Sequence, residues 1–82
     1  MSETAQIAQL LEAIAAEAAR TAEKPVAIVS ATFEWAQPAQ AGETVTARAE
    51  ITRATRTIVF SRGALRGADD RLLLSASAVH RV

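Results

Sequence analysis

Hydrophobic residues recur every three or four positions over residues 3–22, which is the spacing of one face of an α-helix. The members of this apolar stripe are Ile7, Leu10, Leu11, Ile14, Ala15 and Ala18. Ser2 suits the N-cap position, and Glu3 suits the positive end of the helix dipole. Pro25 cannot continue a helix, so the pattern predicts a helix that ends shortly before it.

After Pro25 the hydrophobic positions alternate with polar ones, which is typical of half-buried strands. The alternation predicts four strands, at about 26–36, 43–53, 57–66 and 71–81. Most of the connections are short and rich in turn-forming residues, so neighbouring strands are expected to be antiparallel. One helix followed by four strands predicts the α+β class, with the helix covering one face of the sheet in a single domain of residues 1–82.

The length of the chain limits the core that it can form. A domain of 82 residues buries only about 60% of the surface of its unfolded chain. The sequence has no cysteine and one histidine, which excludes disulfides and argues against a structural zinc site. Association into a homodimer or tetramer is the ordinary remaining source of stability. Alanines on the back of the helix also favour a partner subunit, although alanine is equally the best helix former in water.

Charge and hydropathy narrow the possible partners. Nine basic residues balance nine acidic ones, which argues against nucleic acid as a partner. No apolar stretch is long enough to cross a bilayer, and the first residues lack the features of a signal peptide. We therefore expect a cytoplasmic protein with no membrane partner. Eight of the basic residues are arginines, and all but Arg20 follow residue 47, where they suit either phosphate contacts or a solvated sheet surface.

Several segments in the same order resemble one known family. In residues 33–45, Phe33 is followed after four residues by Pro38-Ala39 and then by Gly42. Residues 10–18, 49–57 and 69–78 are similar to the helix and the two hairpins of the same proteins. These are the hotdog-fold acyl-CoA thioesterases related to the phenylacetate-degradation and 4-hydroxybenzoyl-CoA enzymes. The resemblance implies hydrolysis of a small or medium acyl-CoA at a dimer interface, with coenzyme A as part of the substrate and no separate cofactor or metal.

The resemblance also implies roles for particular residues. Glu12 matches the helix carboxylate that acts as nucleophile or general base, although an ordinary exposed glutamate fits the same position. Arg56, with Arg53 beside it, matches the hairpin that approaches the phosphates of coenzyme A, and the alternative is protection of a sheet edge. Phe33 and Trp35 are expected to fill the core, or else to line an acyl pocket at the subunit boundary.

Two further ionisable residues are given structural roles. Glu17 lies about 140° from Glu12 on the helical wheel, too far for an acid/base pair, and is expected to pair with Arg20. His80 lies two residues from the end of the chain, so we expect a half-buried imidazole at a fraying strand end.

The chain also departs from the family pattern. It begins at the helix, without the family's first strand and His-Gly-Gly loop, and Thr55 replaces the glycine of the Gly-Arg hairpin. Two alternatives therefore stay open: a non-catalytic hotdog-like module that binds an acyl group or serves in assembly, and an incomplete chain, although residues 1–3 suggest a natural start. If the protein is an enzyme, the strand that follows the helix should lie at a sheet edge and pair with the same strand of a second copy, related by two-fold symmetry.

Overall fold

The structure is a computed structural model that describes residues 2–82. Met1, which the sequence suggests as a natural start, lies outside them. The elements in chain order are helix α1 (Glu3–Ala22) and strands β1 (Ala27–Trp35), β2 (Thr46–Ala54), β3 (Ile58–Arg66) and β4 (Leu72–Arg81). A short 3-10 turn (Ala68–Asp70) precedes β4.

Helix α1 begins and ends where local signals in the sequence predict. The Ser2 side chain accepts a hydrogen bond from the backbone N–H of Ala5 at 3.1 Å, which satisfies one of the free donors of the first turn. Glu23 adopts a left-handed conformation with φ 57° directly after the helix, and Pro25 follows. The buried side of α1 carries Gln6, Leu10, Ile14 and Ala18, four residues apart.

The four strands form one antiparallel sheet in the order β1-β4-β3-β2. The strand that follows the helix is therefore an edge strand, as the sequence predicted, and β2 is the other edge. Helix α1 packs on β2, β3 and β4. The predicted helix on a four-stranded antiparallel sheet is confirmed.

The core lies between α1 and the centre of the sheet. Leu10 and Ile14 are fully buried against Leu65 and Leu74. Gly63 lies directly below the helix: a Cβ there would come 3.0 Å from Leu10 Cδ1 and 3.0 Å from Ile14 Cγ1. The missing side chain lets the helix approach β3 closely.

The two edge strands differ from their predicted form. In β1 the register against β4 shifts between Ile28 and Ser30, and the extra residue in the strand leaves Val29 60% exposed. Val29 therefore does not join the buried face, as strict alternation suggested. Strand β2 begins at Thr46 and not at residue 43, because residues 43–45 belong to the preceding loop.

Phe33 and Trp35 differ in burial although they lie on the same strand. Phe33 is half-buried and packs against the core cluster. Trp35 is 41% exposed, so the expectation that it fills the core is wrong for a single chain. It is the last residue of β1, an edge strand, where only one neighbouring strand is available to cover it.

The late start of β2 has a clear cause in the side chain of Glu43, which is only 3% exposed. Its Oε1 accepts from the Gln40 N–H at 2.8 Å and from Arg71 Nη2 at 2.7 Å, and its Oε2 accepts from the Ala68 N–H at 2.8 Å. These hydrogen bonds hold the pKa of the Glu43 carboxyl below its usual value. The backbone hydrogen bond from Gln40 has the largest effect, and the one from the Arg71 side chain has the next largest. The carboxylate thus ties the β1–β2 loop to the β3–β4 turn.

We expect Gly67→Ala to lower the free energy of unfolding by about 1–3 kcal/mol, the usual cost of overpacking a filled site. A Cβ at Gly67 would lie 2.2 Å from Glu43 Oε2, so the carboxylate must leave its place. Urea unfolding of the single and double variants measures the effect. In a Glu43→Ala background the same Gly67→Ala change should cost less than half as much. Equal costs in both backgrounds would contradict this explanation.

Candidate functional site

Glu12 borders an open groove between α1 and the edge strand β2. The groove has a volume of about 560 Å³. Its other lining residues are Gln9, Ala13 and Ala16 on the helix and Val45, Thr46 and Ala47 at the start of β2. We call this the helix–strand groove. Its walls are mostly apolar, with the Gln9 amide and the Thr46 hydroxyl as the uncharged polar groups beside the carboxylate.

The position of Glu12 on the helix follows from the helical repeat. Glu12 is two residues from Leu10 and two from Ile14, both fully buried, so its Cβ points about 160° away from theirs. The carboxylate is exposed and does not face the sheet of its own chain, as the sequence predicted. It reaches the groove from the outer rim, where a carboxylate is accessible to both a ligand and water.

The two arginines expected near a coenzyme A phosphate do not line the helix–strand groove of their own chain. Arg56 lines a separate hollow of about 270 Å³ at the C-terminal end of α1, beside Thr21 and Lys24. Thr21 follows Glu12 by nine residues, which is about 14 Å along the helix axis. Arg53 pairs in register with Phe60 across the β2–β3 ladder and is exposed. Within one chain neither arginine borders the helix–strand groove.

Phe33 and Trp35 are separated from Glu12 by the width of the sheet. They lie on β1, whereas the groove runs along β2 at the opposite edge. Three strand spacings of roughly 4.8 Å place these edges about 14 Å apart. A single chain therefore does not assemble the five predicted site residues into one pocket.

Glu17 takes the structural role that the sequence predicted. Its carboxylate accepts hydrogen bonds from the Nε and Nη2 of Arg20, one turn further along the helix. The hydrogen bond from Arg20 is the main reason that the pKa of Glu17 is lowered. This pairing leaves Glu12 as the helix carboxylate that borders the groove.

His80 is fully buried, which corrects the expectation of a half-buried residue at a fraying strand end. Its Nε2 lies 2.7 Å from Ser61 Oγ on the neighbouring strand β3, and Ser61 Oγ lies 3.5 Å from the Ala78 carbonyl oxygen. His80 Nδ1 is buried without a hydrogen-bond partner in residues 2–82. A neutral ring protonated at Nε2 fits these contacts, because it donates to Ser61 and leaves no buried N–H donor unpaired. Burial lowers the pKa of His80.

We expect the free energy of unfolding to fall as the pH falls from 6.5 towards about 5. The unfolded imidazole takes up a proton near its ordinary pKa of 6.5, whereas the buried one does so only at lower pH. The unfolded state therefore binds more protons in this window, and the slope can reach about 1.4 kcal/mol per pH unit. Urea unfolding at several pH values measures it.

His80→Gln should remove this slope, since an amide does not titrate. Glu17 and Glu43 do not interfere, because their lowered pKa values mean that their stabilising effect is lost only as the pH falls below about 4.5. An unchanged slope in His80→Gln would assign the pH dependence to another group.

Two classes of site find no support in the part of the chain that the structure describes. No three acidic or histidine side chains lie together as a metal ion would require. Within residues 2–82 the structure contains no helix that is long and apolar enough to cross a membrane.

The sequence indicates Glu12 as a candidate but does not indicate the residues that line the groove beside it. The signal on the helix side was available, because Gln9, Ala13 and Ala16 are the neighbours of Glu12 at spacings of three and four. Nothing local in the sequence shows that β2, and not another strand, lies beside this face. The Ser61–His80 pair was missed for the same reason, since the two residues are 19 positions apart.

Comparisons with known proteins agree with the fold. A family model described as "Thioesterase superfamily" matches residues 4–74. A Bacillus halodurans protein, whose crystal structure is described as containing CoA, superposes with a TM-score of 0.86 at 12% identity over 99% of this chain. A second protein, described as from the thioesterase superfamily, superposes with a TM-score of 0.71 at 16% identity over 78% of this chain. The matches span 58% and 48% of those two chains. No functionally curated protein matches the sequence.

Proposed function

Because this chain belongs to the thioesterase superfamily, we propose that it hydrolyses a small or medium acyl-CoA, with Glu12 as the catalytic carboxylate in the helix–strand groove. The observation that carries the proposal is the place of Glu12 at the rim of a mostly apolar groove. The apolar walls suit an acyl chain, and the carboxylate suits the reacting carbonyl group.

The chemistry assigned to Glu12 is general-base catalysis. The carboxylate takes a proton from a water molecule, whose oxygen bonds to the thioester carbonyl carbon. The carbon–sulfur bond then breaks, and the proton passes to the leaving thiolate, so the products are a carboxylic acid and free CoA. Direct attack by the carboxylate oxygen, followed by hydrolysis of the mixed anhydride, gives the same products.

The proposal includes a second copy of the chain. A carboxylate becomes a better base when it is partly desolvated, and in one chain the groove is open to water. Strand β1 is the expected contact between copies: it has an unpaired edge and carries three exposed large apolar residues, Ile28, Val29 and Trp35. Pairing of β1 with its two-fold mate would extend the sheet across the dimer. The proposal keeps the cytoplasmic location that the sequence suggests.

The substrate-binding roles of Phe33, Trp35, Arg53 and Arg56 stay predictions. Trp35 has a second use in this proposal, because its exposed ring lies on the strand assigned to dimer contact. The acyl chain has a nearer lining in Ala13, Ala16 and Val45.

Release of free CoA thiol from a panel of acyl-CoA esters tests the proposal. We expect turnover with at least one ester of short or medium chain length. No turnover across the panel would contradict it. Binding of an acyl-CoA without hydrolysis would instead support the non-catalytic acyl-binding module, which the exposure of Glu12 in a single chain also fits.

A further inference from the structure

A second concave surface lies on the outer face of the sheet, opposite to α1. It is a hollow of about 560 Å³ over the ladder between β2 and β3. Ala64 forms its floor, and three arginines surround it: Arg48 lies directly across on β2, while Arg62 and Arg66 lie two residues to either side on β3. The small alanine side chain leaves room above the floor. We call this surface the arginine hollow.

The charges of the arginine hollow are incompletely balanced. Arg62 pairs with Glu50, and Arg66 Nε lies 3.8 Å from Asp70 Oδ1. Arg48 has no carboxylate or other hydrogen-bond acceptor among residues 2–82. The two ion pairs are solvent-exposed, and such pairs exchange readily with other ions. Three cations against two carboxylates leave one positive charge and a free guanidinium fork, which suits a phosphate group.

The arginine hollow and the helix–strand groove approach each other at the edge strand β2. A smaller hollow of about 150 Å³ adjoins it and is lined by Arg48, Arg66 and Thr46. Thr46 lies on the edge strand β2 and also borders the groove that contains Glu12. A ligand that contacts both faces of the sheet would therefore cross β2 at this edge. The hollow of Arg56 shares no lining residue with the groove.

We propose that the arginine hollow binds the phosphate-bearing end of an acyl-CoA. The thioester then lies beside Glu12, and the pantetheine arm crosses β2 at Thr46. Arg48 is the principal contact, because its guanidinium has no acceptor of its own, and Arg62 and Arg66 flank it. The identity of the ligand rests on the proposed function, whereas phosphate binding at Arg48 does not depend on hydrolysis.

The binding test uses free CoA and inorganic pyrophosphate as calorimetric probes of the intact protein. Arg48→Gln should weaken the binding of CoA about tenfold or more, since a charge-assisted contact is lost. Arg81→Gln is the matched control, because Arg81 is exposed at the end of β4 and also has no acceptor in residues 2–82. Unchanged CoA affinity in Arg48→Gln, or a loss in Arg56→Gln alone, would overturn the proposal. The proposal would also be overturned if Arg48→Gln weakened the binding of pyrophosphate but left the binding of CoA unchanged.

The kinetic test separates the two ends of the substrate. Arg48→Gln should raise KM about tenfold for an acyl-CoA but not for the matching acyl-pantetheine thioester, which has no nucleotide. An equal rise for both substrates would overturn the proposal, because the arginine would then act elsewhere than on the phosphates. If no ester is hydrolysed but Arg48→Gln still weakens CoA binding, the proposed function fails and the phosphate site stands.

Discussion

Glu12→Gln is expected to lower kcat for acyl-CoA hydrolysis by a factor of about 100 to 10,000, the usual contribution of a positioned general base. Glutamine keeps the size and the hydrogen-bonding capacity of the side chain but cannot accept the proton. Glu12 is exposed and makes no ion pair in residues 2–82, so the unfolding midpoint should stay the same. Steady-state thiol release and urea unfolding of the same preparation give both quantities.

The matched control for this substitution is Glu3→Gln. Glu3 is an exposed carboxylate on the same helix, it has no ion pair in the described residues, and it lies nine residues, about 14 Å along the helix axis, from Glu12. Its replacement should leave kcat unchanged. A Glu12→Gln variant as active as the wild type would contradict the assigned role, and an equal loss in both variants would point to a general effect of net charge.

Val29→Lys is expected to prevent the proposed β1–β1 dimer from forming, so that the variant has the mass of one chain under conditions where the wild type has the mass of two. Val29 is 60% exposed in a single chain, so the monomer fold can accept a lysine there. Across a β1–β1 contact, however, two lysines would approach each other at a sheet edge, and charged edge residues oppose such pairing. Light scattering coupled to gel filtration measures the mass.

The opposite edge of the sheet supplies the control. Ala54→Lys places the same charge at an exposed position on β2. This variant should keep the wild-type mass if β1 is the contact strand. Dissociation by Ala54→Lys with no effect of Val29→Lys would move the interface to β2.

Local signals in the sequence predicted most of the fold. The bounds of α1 follow from Ser2 and Pro25, which act on residues within a few positions of themselves. Strands β1, β3 and β4 lie within one residue of their predicted bounds, because alternation is also a local property. The start of β2 was missed since Glu43 turns away from the strand to bind Ala68 and Arg71, which are 25 and 28 positions away.

The candidate site was less accessible from the sequence. The outward direction of Glu12 follows from counting along the helix, but the strand that completes its groove depends on the sheet order. Arg48 was part of a recognised arginine-rich half of the chain, yet its unpaired state shows only when the partners of Arg62, Arg66 and Arg71 are known. The full burial of His80 was not predicted, because a position near the chain end does not show that β4 lies between two other strands, β1 and β3.

Sedimentation of the protein through a substrate layer tests the central claim most directly, because it measures the mass of the species that releases CoA thiol. The central claim is that an assembly of this thioesterase-superfamily chain hydrolyses acyl-CoA. The expected active species has at least twice the 8.7 kDa mass of one chain. Thiol release that sediments with a single 8.7 kDa chain, or no release by any species, would contradict the claim.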